Sequence, residues 1–144
     1  MRDLISNLGV KIAIPSAAYD ADNTPAAIDL SGFDSAVLAI HVGVGGITFS
    51  GTNKVEFKLT HADTADGSYT AVTADDVQGV DSVGTGGIVM SLTAAHADPT
   101  VTKVGYVGGK PYAKLLADFS GTHGTATPIG ATVILGHPRN APVA

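Results

Sequence analysis

The segment KVEFKLTH (54–61) alternates strictly, with Val55, Phe57 and Leu59 on one side and Lys54, Glu56, Lys58 and Thr60 on the other. Successive side chains of an extended chain point to opposite faces. A period of two therefore specifies a half-buried strand with a solvated face. The other apolar runs are short and β-rich as well. VKIAI (10–14) reads as a short strand that stops at Pro15, and SAVLAIHV (35–42) as a buried strand. SYTAV (68–72) reads as the antiparallel return of 54–61, and GIVMSL (87–92) as a further strand. TVTKVGYV (100–107) and PYAKLLADF (111–119) flank the tripeptide GGK, a spacing that predicts a hairpin. IGATVILG (129–136) is the last buried strand.

About eight short strands with turn signals between them predict one domain over 1–144, mainly β. The expected architecture is an antiparallel β-sandwich or barrel with little helix. The 18 glycines and 7 prolines are scattered, as short strands joined by turns require, and twelve aspartates stand against one glutamate. Helical turns are expected only as single turns, in 73–83 capped by Thr73 and in 92–99. Residues 1–8, with Leu4, Ile5 and Leu8 at helix-like spacing, predict one helical turn or an N-terminal arm. The tail 137–144, punctuated by Pro138 and Pro142, is expected to be extended. The tetrad FSGT occurs at 49–52 and 119–122, and both copies read as strand-exit turns.

Charge and composition remove several classes of function. Net charge is −5 and the eight basic residues are dispersed, whereas nucleic-acid binding needs them clustered. The absence of cysteine removes disulfide and thiolate chemistry. No apolar run approaches the ~20 residues of a membrane span. Asn7, Lys11 and Pro15 break the apolar centre a signal peptide would need, so assembly in the cytosol is expected.

The stretch KLTHADTADGSYTAV (58–72) is the most chemical in the chain. His61, Asp63 and Asp66 have the ligand types of a transition-metal site. The strand patterns on both sides instead favour a turn, with His61 ending a strand, Asp63 and Asp66 capping, and Gly67 at positive φ. GVGGITFSGTN (43–53) lacks the spacing of a dinucleotide loop, and Pro111 occupies the place a phosphate loop gives to Ser or Thr. No H-E-x-x-H pair or G-x-S-x-G elbow is present. Catalytic, cofactor-binding and metal residues are therefore all expected to be absent.

Two stretches carry a resemblance, GTNKVEFKLTHADTADGSYTAVTADDVQGV (51–80) and VGYVGGKPYAKLLADFSGTHGTATPIGATVILGHPRNAPV (104–143). They resemble small structural proteins of tailed bacteriophages and prophages. The shared forms are V-x-F-K-L at Val55–Leu59, Y-V-G-G-K-x-Y at Tyr106–Tyr112 and V-x-L-G-H-P-R at Val133–Arg139. Pro111 departs from the pattern, where a basic residue is usual. Proteins of this kind are similar in size and setting to head decoration, or cement, proteins. The resemblance implies a non-enzymatic virion component on the head surface, assembled in the host cytoplasm. Its implied partners are the major capsid protein and further copies of itself, as a homo-oligomer with a trimer favoured. From charge and hydropathy, no direct contact with nucleic acid or membrane is expected. Leu4, Ile5 and Leu8 at one end, and Pro138, Arg139 and Pro142 at the other, are the expected interface residues. A neck, tail or baseplate component is the alternative, and a carbohydrate- or host-surface-binding module is the second.

Overall fold

The computed structural model describes residues 3–143. Residues 1, 2 and 144, the outermost positions of the expected arm and tail, lie outside the described residues. A 3-10 turn at Ile5–Asn7 leads into β1 (Gly9–Tyr19), β2 (Ile28–Asp29), β3 (Phe33–Val42) and β4 (Lys54–Ala62). Then follow β5 (Thr70–Ala71), β6 (Val77–Gln78), β7 (Ile88–Leu92), β8 (Thr100–Tyr106), β9 (Tyr112–Ser120) and β10 (Thr127–Pro138). The first sheet has the order β1-β10-β3-β8-β6. The second runs β2-β9-β4, and β5 and β7 share the far edge of β4. All pairings are antiparallel.

The two inner faces make one core. Val55, Phe57 and Leu59 of β4 and Leu115 of β9 are fully buried, as are Ile40, Val104 and Leu135 from the first sheet. The register predicted for 54–61 is the one observed. Covering each large aliphatic or aromatic side chain contributes about 1.5–3 kcal/mol, so this shared interior is what holds the sheets together.

Ten strands replace the expected eight or so, because β2 and β6 are two-residue pieces too short to leave a pattern in the sequence. The return expected over 68–72 is β5, which pairs antiparallel with β4 through Thr70 and Ala71 alone. The fold corrects other expectations too. β1 does not stop at Pro15. Its register slips between Ile12 and Ile14 and again between Ile14 and Ala17, and Pro15 falls in the second irregularity. At a bulge on an edge strand, the missing N–H of proline costs no ladder bond. The Tyr19 hydroxyl donates to the Pro15 carbonyl at 2.6 Å and spans the bulge.

The GGK segment is not a hairpin. β8 pairs with β3 and β6, β9 pairs with β4 and β2, and so residues 107–111 cross from one sheet to the other. Both edges of each strand are already occupied, which leaves no edge for pairing β8 with β9. The arch closes on Tyr106, whose hydroxyl accepts from the Lys110 N–H at 3.2 Å.

Residues 73–83 form a turn and β6, not a helical turn. The Asp76 carboxylate accepts from the Thr73 N–H and hydroxyl, at 2.8 and 2.9 Å, and the chain leaves extended. Residues 92–99 are likewise non-helical. His137 and Pro138 belong to β10, so the tail is shorter than expected. The FSGT at 49–52 leads into β4 and is not a strand exit, while the one at 119–122 spans the end of β9 and the turn after it. Lys54 and Ser120 are paired, which sets the two copies side by side.

Candidate functional site

The two outer faces of the sandwich differ in chemistry. On the second sheet, Lys54, Glu56, Lys58, Lys114 and Asp118 all point outward, opposite in parity to the buried Val55, Phe57, Leu115 and Ala117. Lys54 pairs with Glu56 at 2.6 Å, Lys58 pairs with Asp118, and Lys114 lies over the Tyr69 ring at 4.2 Å. The hydrogen bond to Asp118 holds the Lys58 ammonium above its ordinary range. Solvated pairs of this kind contribute only about 0–1 kcal/mol each, and they mark a face adapted to water.

The first sheet presents Val10 and Ile12 of β1, Ile134 of β10, Val37 of β3 and Val101 of β8 on its outer side. Val10, Ile12 and Val101 are 66%, 70% and 58% exposed. Lys103 is the charged side chain at these outward strand positions, and no carboxylate is among them. Asp34, the one acid on the five strands, has inward parity at a strand end and pairs with Arg139 at 2.8 Å. Contiguous exposed apolar surface marks a place where something docks.

The expected interface residues fall at one border of this face. Leu4 and Ile5 are exposed on the 3-10 turn. Leu8 is half-buried and sits over Gly136 of β10, where an added Cβ would stand 3.9 Å from it. Pro138 pairs with Phe33, and Pro142 is exposed. The Arg139 N–H donates to the Gly32 carbonyl at 2.9 Å, and the Val143 N–H to that of Ser6 at 2.9 Å. The fold thus gathers the two terminal segments together.

Y-V-G-G-K-x-Y and V-x-L-G-H-P-R also meet, although they lie far apart in sequence. Tyr106–Pro111 and Arg139, with Leu30, Phe33 and Asp34, line an open cleft of about 260 Å3 at one end of the sandwich.

The histidine–aspartate stretch resolves as a loop. His61 is in β4 and buried, with Nδ1 2.9 Å from the Tyr106 hydroxyl. Asp63 is exposed, 3.4 Å from the Lys110 ammonium, and Asp66 is exposed. The three do not converge. Among the described residues no three His, Cys, Asp or Glu side chains are placed to hold a metal ion. Gly67 is not at positive φ, contrary to expectation. A Cβ there would stand 2.4 Å from Thr64 Oγ1, so that hydroxyl would have to turn aside.

His61 and Tyr106 have the look of a proton relay, yet their surroundings make them a tie between the sheets. Burial pushes the Tyr106 phenol above its usual value of 10.0, and Asp76 and Asp63 add to that. It therefore stays protonated near neutrality and serves as a hydrogen-bonding post for the arch at 107–111. Among the described residues no helix is long and apolar enough to cross a membrane.

No family model, curated protein or solved structure matches the chain. The outward apolar residues Val10, Ile12, Val37 and Ile134 are not among the interface residues expected from the sequence. ATVILG carries a signal of them, being apolar at both parities as a strand with one wet face would not be. In VKIAI the large apolar residues share one parity, and the register slip after Ile12 leaves Val10 and Ile12 outward while Ile14 faces in.

Proposed function

We propose that this chain is a non-enzymatic structural protein of a tailed-phage virion. In this reading it is a capsid decoration, or cement, protein that binds the outer surface of the major capsid protein lattice as a homo-oligomer. The supporting observation is the one-sided surface: a charged, ion-paired face on the second sheet and an apolar, carboxylate-free face on the first. A domain whose work is contact with other subunits needs one face for water and one for a partner. The terminal segments bearing Leu4, Ile5 and Leu8, and Pro138, Arg139 and Pro142, supply further contacts to neighbouring capsid subunits. Many such contacts of modest strength, repeated over a shell, add up to a stable coat.

The test is sedimentation of the purified chain with phage heads that lack it. It should travel with assembled heads and remain free when mixed with unassembled capsid protein. Equal binding to both would contradict a lattice-reading cement protein. Binding to tails or necks instead would favour a neck, tail or baseplate component. Affinity of the isolated chain for a glycan would favour a host-surface module.

A further inference from the structure

We propose that the outer face of the first sheet is a self-association surface, covered in the assembled protein by the same face of a second copy of this chain. This rests on reading the face as a docking surface and not on where the assembled protein works.

Register defines the patch. Val10 lies opposite Ile134, Ile134 opposite Val37, and Val37 opposite Gly105, so one apolar row crosses β1, β10 and β3 and ends on a glycine of β8. The next row is Ile12, Thr132, Ala39 and Lys103. Directly opposed side chains on one face touch, so these rows form a continuous surface. Gly130 and Gly136 in the neighbouring rows make room for Ser16 and for Ser35 and Leu8 respectively. Four strands about 4.8 Å apart, over some six residues at about 3.4 Å, give a plane of roughly 400 Å2 before side-chain relief is counted. Leu4 and Ile5, on the turn leading into β1, enlarge it toward the ~800 Å2 per partner of a standard interface.

Charge selects the occupant. At a net −5, two copies repel one another in most orientations. The outward strand positions of this sheet hold no carboxylate, so two copies meeting here set no acid against acid. A two-fold contact matches a patch with itself. With the axis near Ile12 and Ile134, the two Lys103 side chains on β8, three strands from β1 and two from β10, stand at opposite margins. A strongly charged foreign surface would instead lose hydration against the apolar row without gaining partners.

Pairing along the β1 edge is disfavoured, because its register irregularities and Pro15 spoil its ladder for a further strand. At the other side of the sheet β6 covers β8 only at Gly105 and Tyr106. The apolar rows lie on the face, and the second copy is placed there.

Because the chain has no cysteine, single introduced cysteines report the contact directly. Ile12→Cys, Val37→Cys and Ile134→Cys would be oxidised mildly beside Lys114→Cys on the charged face. The expected result is a covalent dimer from at least one of the first three and none from the fourth. In parallel, light scattering should give the wild type a multiple of the chain mass. Ile12→Lys combined with Ile134→Lys should give the single-chain mass with an unchanged circular dichroism spectrum. A wild type that stays monomeric up to about 100 μM, or crosslinks that favour Lys114→Cys, would overturn the proposal. Should the double lysine variant fail to fold, the cysteine series still decides. A monomer that nevertheless sediments with phage heads would sink this proposal and leave the docking reading standing.

Discussion

Phe57 shows how far a single residue can be read. Its parity with Val55 and Leu59 marks it as core, and its side chain is fully buried between the sheets. Phe57→Ala should lower stability by about 3–5 kcal/mol in denaturant unfolding; a loss under about 1 kcal/mol would contradict the observed register. Asn23 shows the opposite case. It lies in a loop, yet it is buried, with Oδ1 accepting from the Ala117 N–H at 2.7 Å and Nδ2 donating to the Leu115 carbonyl at 3.3 Å. One side chain thereby stands in for a strand along the edge of β9, beyond the two residues of β2. Asn23→Ala exposes no new core but strands two backbone groups, and should cost about 1–3 kcal/mol in the same measurement. Nothing in YDADNTP distinguishes that asparagine from ordinary loop chemistry, because its partners lie more than ninety residues away.

At the scale of elements, legibility followed length and one-sidedness. β4 was legible because one face is dry and the other wet. β8 and β9 were legible as strands, while their connection was not. A Gly-rich tripeptide allows a tight reversal but does not say which edges remain free, and here β3, β6, β4 and β2 had taken them. Gly87 makes a similar point. It sits at φ +83 where β5 gives way to β7, and a Cβ there would be 2.3 Å from the Leu59 carbonyl oxygen. The sequence shows a glycine before a strand and not the neighbour that requires it.

β6 depends on a titratable contact. The Thr73 N–H, together with the Thr73 hydroxyl, holds the Asp76 carboxyl below its ordinary value of 3.8. Because the folded pKa is depressed, the stability it contributes is present above about pH 4. It is lost as pH falls through the folded value. Asp76→Asn should therefore flatten the acid limb of a stability–pH curve below about pH 4. An unchanged limb would show that the Thr73–Asp76 turn does not couple to folding.

At the scale of the whole molecule, the sandwich was legible and its sidedness was not. IGATVILG in β10 is apolar at both parities and reads as a buried strand, whereas VKIAI in β1 reads only as a short strand. The fold instead places them at and beside an open edge, with one apolar face inward and the other outward. That outward face, set against the ion-paired face of the second sheet, is the basis for reading the chain as a component of an assembly. The tailed-phage setting we propose for that assembly rests on the resemblance of residues 51–80 and 104–143.

The most direct test of that proposed setting is antibody labelling of intact phage particles produced by the chain's source, viewed by electron microscopy. The account predicts label distributed over the head surface. Particles carrying no label on head, neck or tail would contradict it.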